Sequence, residues 1–234
     1  MHLPTCILSV IPDNTRMTEC YIAPPCLEVL RELYRDNDIV VVDKPAGLLS
    51  VPGRHPDNYD SALTRLQAIE PETRVVHRLD MATSGIMVFG LHADSHRALS
   101  RQFQDRLVSK AYVAEVWGEL EKESGEVELP LRCDWPNRPR QMVDHEQGKS
   151  AFTRYQKMNS LNSHGRVWLE PVTGRSHQLR VHMAAIGHPI LGCSFYAHEA
   201  ARSAATRLHL HATKLAFVHP VTTKTLAFDC PVPF

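Results

Sequence analysis

One carboxylate, Asp80, lies in the segment of this chain that is best suited to chemistry. It follows His77-Arg78-Leu79 and precedes the small residues Thr83-Ser84-Gly85, with β-branched or apolar residues on both sides. This order predicts a strand, an exposed loop and a second strand, and enzymes commonly mount reactive groups on loops held by rigid elements. A carboxylate there can attack as a nucleophile, act as a base or cap a turn. Capping is the commonest role of a loop Asp, yet its neighbours favour chemistry for Asp80.

A second segment offers the cations that would keep this carboxylate ionised, since a nearby positive charge favours the charged form. Arg175, Gln178 and Arg180 lie at or just beyond the start of a helix predicted from Thr173-Gly174. Backbone amides and the helix dipole also attract anions at such a position. Taken alone, this segment fits an ordinary surface helix with solvated arginines at least as well.

An aromatic ring, Tyr112, completes the set. It lies on a predicted strand, on the opposite face from Ala111 and Val113. Beside a reactive carboxylate, such a ring can stack on a flat substrate such as a nucleobase. A half-buried core tyrosine is the commoner interpretation when the strand is considered by itself.

The 14 histidines raise the question of a metal site. His92 and His96 have helical spacing, and His209 and His211 share one face of a strand, but neither pair has the Glu of a His-Glu-x-x-His motif. The six cysteines include no Cys-x-x-Cys pair, which is typical of free thiols in a reducing cytosol. We therefore expect no metal, and a cytoplasmic location.

Composition indicates a globular protein, because 43% of the 234 residues are hydrophobic. No apolar run reaches membrane-spanning length, and no signal peptide is evident at the N-terminus. A formal net charge of +0 hides a gradient: residues 1–43 carry net −4, residues 97–110 net +3 and residues 131–180 net +5. If the basic segments share one face, they form a surface that attracts phosphate, although charge alone equally fits an ordinary solvated surface.

The apolar patterns alternate between strand and helix without strict β-α-β order, which favours one α+β domain with a mainly antiparallel sheet. We expect residues 1–30 to form an N-terminal extension, partly disordered, with Met17 as the true start or residues 1–16 as a loose tail. Residues 31–234 then form a single domain. Strands are predicted at Ile39–Val42, Ala111–Trp117 and Arg166–Glu170, and two more in Arg207–Phe228 around a turn near Val221–Thr223. One helix is predicted to be capped by Asp60-Ser61, with Ala62, Leu63, Leu66 and Ile69 on one face, and another by Asp94-Ser95, with Leu99, Phe103 and Leu107 facing the core. Residues 130–148 are predicted to form an exposed excursion.

Four motifs in this order resemble the RluA family of RNA pseudouridine synthases: Asp43–Gly47, His77–Gly85, Lys110–Ala114 and Gly174–Arg180. The resemblance implies a mixed, mostly antiparallel sheet in two halves with a central cleft, and activity without a cofactor or metal. It implies that Asp80 is the nucleophile that turns uridine into pseudouridine. It further implies that Tyr112 packs on the target uracil and serves as a base, that Arg180 pairs with the aspartate, and that Arg78 helps to displace the base.

The chemistry of the reaction agrees with these residue types. A carboxylate suits an electron-poor sugar carbon, and attack at ribose C1′, attack at uracil C6 and a glycal route all stay open. The target base must leave its stack to be reached. The alternative functions are a non-catalytic RNA-binding module on the same fold and, less favoured, a metal-dependent hydrolase.

The stretch 133–139 and the turn 187–192 are most similar to family members that modify a hairpin loop of 23S rRNA and the anticodon stem-loop of tRNA. We expect no N-terminal S4 RNA-binding domain, because the residues before Ile39 are acidic and broken by prolines. RNA affinity must then come from the basic middle of the chain, with Arg138, Arg140 and Arg175 as candidate contacts beside Arg78. We expect a monomer.

Overall fold

The computed structural model of the protein describes residues 21–159 and 164–234. The expectations about Met17 and residues 1–16 lie outside this part. Residues 21–30 contain no helix or strand and lie along the domain as a strap. Arg65 donates hydrogen bonds to the carbonyls of Cys26 and Glu28, and the Asn58 side chain bonds to the backbone of Tyr21 and Ala23.

Strands predominate over helices in the described chain. Two single-turn 3₁₀ helices lie at Pro56–Asn58 and Trp135–Asn137. The other elements, in chain order, are β1 (Arg31–Arg35), β2 (Ile39–Lys44), α1 (Ala62–Gln67), β3 (Arg74–Val75), β4 (Ser84–Gly90), α2 (Ala93–Gln104), β5 (Ser109–Val116), β6 (Ser124–Glu128), β7 (Leu131–Cys133), β8 (Gln141–Val143), β9 (Phe152–Met158), β10 (Gly165–Pro171), α3 (Gln178–Ala185), α4 (Glu199–Ser203), β11 (Leu210–Val218) and β12 (Thr225–Asp229).

Ten of the described strands form one sheet, in the order β1-β2-β4-β11-β5-β10-β9-β6, with β3 beside β4 and β12 beside β11. The pair β4–β11 is parallel, and the other strand pairs of this sheet are antiparallel. The predicted α+β class with a mixed, mostly antiparallel sheet is therefore confirmed. The parallel pair joins a half built on β1, β2 and β4 to a half built on β5, β9 and β10.

Each half has its own core. In the first half, β2 is apolar at every position from Ile39 to Val42 because both of its faces are covered: Val40 and Val42 pack in the cluster of α1, whereas Ile39 and Val41 pack in the cluster of α2. In the second half, α3 packs Leu179 and Met183 against Val167 and Leu169 of β10. The two cores leave a cleft between them.

Gly85 permits the close contact at the joint between the halves. Its φ of +114° is disfavoured for other residues, and a Cβ there would lie 2.3 Å from the carbonyl oxygen of Ala212 on β11. The small-residue turn after Asp80 thus lets β4 approach β11 closely.

Several predicted boundaries are wrong in instructive ways. The helix expected from Thr173-Gly174 begins at Gln178, because the Gln178 side chain instead holds the preceding loop. The cap of α2 is His92, with Ser95 three residues into the helix, and α2 ends at Gln104, so Leu107 is 69% exposed rather than buried. Ile69 lies beyond α1 and is 65% exposed.

The remaining predictions are close to the structure. Ser61 caps α1 as expected, and the strands predicted around Asp80, Tyr112 and Trp168 and near the C-terminus are present. The excursion 130–148 contains a two-stranded hairpin, β7–β8. In the described residues, no helix has the length and apolar character needed to cross a bilayer.

Candidate active site

The main cleft of the described chain has a volume of about 710 Å³ and is lined by both halves of the domain. The Asp80 loop contributes one wall, and β5 with the loop before α3 contributes another. Asp80, Tyr112 and Arg180 all line this cleft, together with Arg78 and Arg175. Residues from three of the four sequence motifs therefore meet in one cavity.

The Asp80 loop is pinned on both sides of the carboxylate. On one side, Ser50 Oγ donates to the carbonyl of Leu79 at 2.7 Å and accepts from the Leu79 amide at 3.1 Å. On the other side, the carbonyl of Met81 accepts from the Gly47 amide at 2.8 Å and from Lys44 Nζ at 3.1 Å. The backbone on either side of Asp80 is thus fixed, as a reactive group requires.

Arg180 supplies the positive charge that pairs with the Asp80 carboxylate. Its Nη1 lies 2.9 Å from Asp80 Oδ2; the Arg180 side chain is 3% exposed and the Asp80 side chain 26%. Burial opposes the charge of Arg180, but Cys193 and Asp80 raise the pKa of its guanidinium, so it stays positive. Phe195 and Tyr196 flank the guanidinium, with ring centroids 5.1 and 5.4 Å away. A buried cation at this distance favours the ionised carboxylate.

Tyr112 is partly buried on β5, between Leu169 of β10 and Ala212 of β11. Burial raises the pKa of its phenol, and the negative charge of Asp80 raises it further. The phenol is therefore neutral at pH 7.

Gln178 explains why α3 begins late. Its Oε1 accepts from Thr173 Oγ1 at 2.6 Å and from the Arg175 amide at 3.0 Å, and its Nε2 donates to Phe152 O and Thr153 Oγ1. His177, directly before Gln178, lies in the left-handed region with φ 54°, and the helix starts at Gln178. This loop places Arg180 in the first turn of α3 and Arg175 at the rim of the cleft.

The candidate RNA contacts fall into two groups. Arg78 and Arg175 lie in the cleft, whereas Arg138 and Arg140 are exposed near the tip of the β7–β8 hairpin and do not line it. The Arg138 guanidinium lies 4.8 Å above the ring of Trp135, which is 63% exposed. The hairpin therefore presents an aromatic ring and two cations to solvent.

Sequence reasoning missed several groups in and beside the cleft. Lys44 is completely buried and donates to three carbonyls, while burial lowers its pKa to about 7. Arg106 and Lys110 line the cleft, and burial with the charge of Arg106 lowers the pKa of Lys110. His177 Nε2 lies 3.8 Å from Asp80 Oδ2. Lys44, His177 and Lys110 all lay inside motifs already singled out, and the position of Lys44 at the end of an apolar strand was a further signal.

Potential metal ligands do cluster outside the cleft, in two groups within the described residues: Asp43, His211 and Cys230, and Asp36, Asp38 and His219. In the second group, His219 Nδ1 accepts the amides of Val221 and Thr222, so its Nε2–H donates to Asp36. In the first group, Arg31 already bonds to Asp43 and Cys230. His92 is occupied as the cap of α2 and as a partner of Asp38.

Comparison with known proteins agrees with this geometry. Residues 38–185 match the family model described as RNA pseudouridylate synthase. The dual-specificity RNA pseudouridine synthase RluA of Yersinia pestis is 54% identical over 203 residues, covering 86% of this chain and 98% of that protein. The protein of the same name from Escherichia coli K12 is 51% identical over 212 residues, covering 90% of this chain and 97% of that protein.

Solved structures show the same fold. Human RNA Pseudouridylate Synthase Domain Containing 1 superposes with a TM-score of 0.73 at 29% identity, covering 90% of this chain and 86% of that one. Human RNA Pseudouridylate Synthase Domain Containing 4 gives a TM-score of 0.69 at 26% identity, covering 87% of this chain and 88% of that one. With the resemblance noted from its motifs confirmed, the chain belongs to the RNA pseudouridylate synthase family, and it is an RNA-modifying isomerase rather than a non-catalytic module on the same fold.

Proposed function

We propose that this enzyme isomerises uridines in stem-loops of both 23S rRNA and tRNA, with Asp80 as the nucleophile. The observation that carries the proposal is the buried Arg180 guanidinium 2.9 Å from the Asp80 carboxylate, inside a cleft wide enough for a displaced base. The two-substrate part is supported by the word dual-specificity in the names of relatives that are 51–54% identical.

Asp80 supplies the carboxylate that begins the isomerisation. The reaction breaks the N1–C1′ bond of uridine, rotates the uracil and forms a C5–C1′ bond. The C5 hydrogen leaves as a proton and N1 takes up a proton, so that the product is an isomer of the substrate. An ionised carboxylate can attack ribose C1′ or uracil C6, or assist loss of the sugar C2′ hydrogen on a glycal route. Each route needs Asp80 in its charged form, which Arg180 favours.

Tyr112 holds the detached uracil and relays a proton: its phenol gives its own proton to uracil N1, and the resulting phenolate accepts the C5 proton. Its ring lies in the same cavity as Asp80, where it can stack on a flat base. The charge of Asp80 helps to raise the pKa of Tyr112. Once Asp80 has formed an ester or adduct, that charge is gone, and the phenol becomes easier to ionise at the stage that needs a base.

The cations around the cleft hold the RNA backbone. Arg78 is exposed on the Asp80 loop, where a guanidinium plane can fill the space that the target base leaves. Arg175, Arg106 and Lys110 lie along the cleft and suit phosphate groups on either side of the target. Arg138 and Arg140 of the hairpin extend this contact to the stem.

The remaining parts of the proposal follow from the chemistry. Isomerisation activates no water and transfers no net electrons, so we assign neither metal nor cofactor to the reaction. Side chains of one chain form the whole cleft described above, which favours a monomer as the active unit. Its RNA substrates and free cysteines favour the cytoplasm.

Tritium release from RNA carrying 5-tritiated uridine tests the proposal, because pseudouridine formation frees the C5 hydrogen. We expect release from a tRNA transcript and from a 23S rRNA fragment with the native protein, and none with Asp80→Asn. The matched control Asp94→Asn, which changes an exposed carboxylate paired with Arg97, should keep the native rate. Release by Asp80→Asn would overturn the role of Asp80, and release from one RNA class alone would overturn dual specificity.

A further inference from the structure

Tyr196 lies where three parts of the molecule meet. Its hydroxyl accepts the backbone amide of Gln141, the first residue of β8, at 2.8 Å. The same hydroxyl is 2.6 Å from His177 Nδ1, at the start of α3. The face of its ring lies 5.4 Å from the Arg180 guanidinium. One side chain thus contacts the hairpin and both polar groups that face Asp80 Oδ2.

The direction of the Gln141 hydrogen bond is fixed by chemistry, and it leaves the hydroxyl hydrogen available to His177. A backbone amide can only donate, so the Tyr196 oxygen accepts from Gln141 and its own hydrogen is free for His177 Nδ1. His177 is neutral, since burial, together with Arg180, lowers its pKa to about 4 although Asp80 opposes this. With Nδ1 as acceptor, the ring hydrogen of His177 lies on Nε2, which faces Asp80 Oδ2 at 3.8 Å.

The spacing leaves one contact incomplete. Arg180 is already within hydrogen-bond distance of Asp80, whereas the His177 Nε2–H lies about an ångström beyond it. The His177 side chain is 10% exposed and stacks on Phe195, so it has little freedom to close the gap by itself. A small shift of Tyr196 would move the His177 ring with it, towards Asp80.

We propose that Tyr196 is a positioning residue through which engagement of the β7–β8 hairpin by RNA sets the placement of Asp80, with His177 and Arg180 as the transmitting contacts. The inference rests on the proposed function, because it takes Asp80 as the nucleophile and the hairpin as an RNA contact. Tyr196 also packs with Val143 of β8 against Leu131 and Val181, so a moving hairpin moves the ring as well as its hydroxyl.

A cycle of variants tests this coupling in single-turnover tritium release, at enzyme concentrations that saturate the RNA. Tyr196→Phe keeps the ring and removes the hydroxyl. We expect it to lower the rate about tenfold with the RNA Kd within about twofold, as for a misplaced catalytic group. Arg138→Ala with Arg140→Ala should weaken binding and also lower the saturated rate. The triple variant should be no slower than Tyr196→Phe, because the coupling is already lost.

Controls separate coupling from general damage. Tyr34 lies on β1, away from the cleft lining, and its hydroxyl donates to Asp36. Tyr34→Phe removes that hydrogen bond and should leave the rate of tritium release and the RNA Kd unchanged. Asparagine tolerates the left-handed backbone of His177, so His177→Asn should lower the rate as much as Tyr196→Phe does. Combining the two substitutions should lower the rate no further. A native rate for Tyr196→Phe, or a triple variant slowed by the product of the separate effects, would overturn the inference. Native release that Asp80→Asn abolishes would leave the proposed function standing in either case.

Discussion

A buried guanidinium lies against the Asp80 carboxylate. The Arg180 side chain is 3% exposed and donates hydrogen bonds to both Asp80 and Cys193. Its charge is therefore balanced by protein groups rather than by water. Carboxylates with such a partner are used in enzymes as nucleophiles because they stay ionised in a partly buried site. The incomplete contact from His177 leaves room for a second stabilising bond when RNA is bound.

Tyr112 has two assigned roles that one substitution separates. Tyr112→Phe keeps the stacking ring but loses the proton acceptor, so we expect RNA Kd within about threefold and single-turnover release slowed about 100-fold, the size of a general-base effect. Tyr112→Ala should weaken binding as well. The measurement is tritium release together with a filter-binding Kd. A native rate for Tyr112→Phe would show that stacking alone is required.

At the scale of elements, the β7–β8 hairpin exposes Trp135 together with Arg138 and Arg140. Within the described residues, neither arginine forms an ion pair. Arg132 and Arg154, which also belong to the basic middle, are instead bonded to Asp144 and Glu126. The net charge of a segment therefore overstates the cations that are free to meet phosphate.

The salt dependence of binding tests the hairpin. Each phosphate contact contributes a slope of about 0.7–0.9 in log Kd against log salt, so Arg138→Ala with Arg140→Ala should reduce the slope by up to about 2. The matched pair Arg97→Ala with Arg202→Ala removes two arginines held in helical ion pairs and should leave the slope unchanged. An unchanged slope for the hairpin variant would exclude these two side chains as phosphate contacts.

The joint between β4 and β11 makes a separate prediction about stability. Gly85→Ala places a methyl group 2.3 Å from a backbone oxygen in a strained conformation and should cost about 3 kcal/mol or more of unfolding free energy. Gly47→Ala has a similar positive φ of 86° but no atom within 4 Å, so it should cost only the strain, about 1 kcal/mol. Urea denaturation measures both, and equal losses would contradict the close approach.

Across the whole molecule, three histidines link stability to pH: His211, which is buried, and His77 and His177, which are partly buried. Burial, with smaller contributions from neighbouring cations, lowers the pKa of His77 to about 3, and burial is also the main cause that lowers the pKa of His177 and of His211 to about 4. These values lie below the ordinary 6.5, so the unfolded chain binds protons that the folded chain refuses. The stabilising contribution is complete above pH 6.5 and is lost as the pH falls towards 4.

We therefore expect the unfolding free energy to fall from pH 7 to pH 5, by as much as about 1.4 kcal/mol per pH unit for each histidine that is protonated only on unfolding. Urea denaturation at pH 7, 6 and 5 measures the slope. His211→Asn should make the slope shallower, whereas His145→Asn, in the exposed turn after β8, serves as the comparison. A stability independent of pH over this range would show that these rings are protonated in the folded state.

The sequence by itself determined the types of residue to which we assign the chemistry, and most of the local structure. The motifs around Asp80, Tyr112 and Arg180 are short, so their composition and spacing are visible without a fold. Strand and helix periods likewise come from neighbours along the chain, and they predicted β2, β5, β10 and the cap of α1. Boundaries failed where a side chain bonded back on its own loop, as Gln178 does ahead of α3.

The tertiary structure alone decided which of these residues meet. Asp80 and Arg180 are 100 positions apart, and only the order of strands in the sheet brings their atoms within 2.9 Å. The same order pairs Arg132 and Arg154 with acids, buries Lys44, and joins Gln141, Tyr196 and His177 in one chain of hydrogen bonds. Contacts of this kind depend on how distant segments pack, which local periodicity and spacing do not encode.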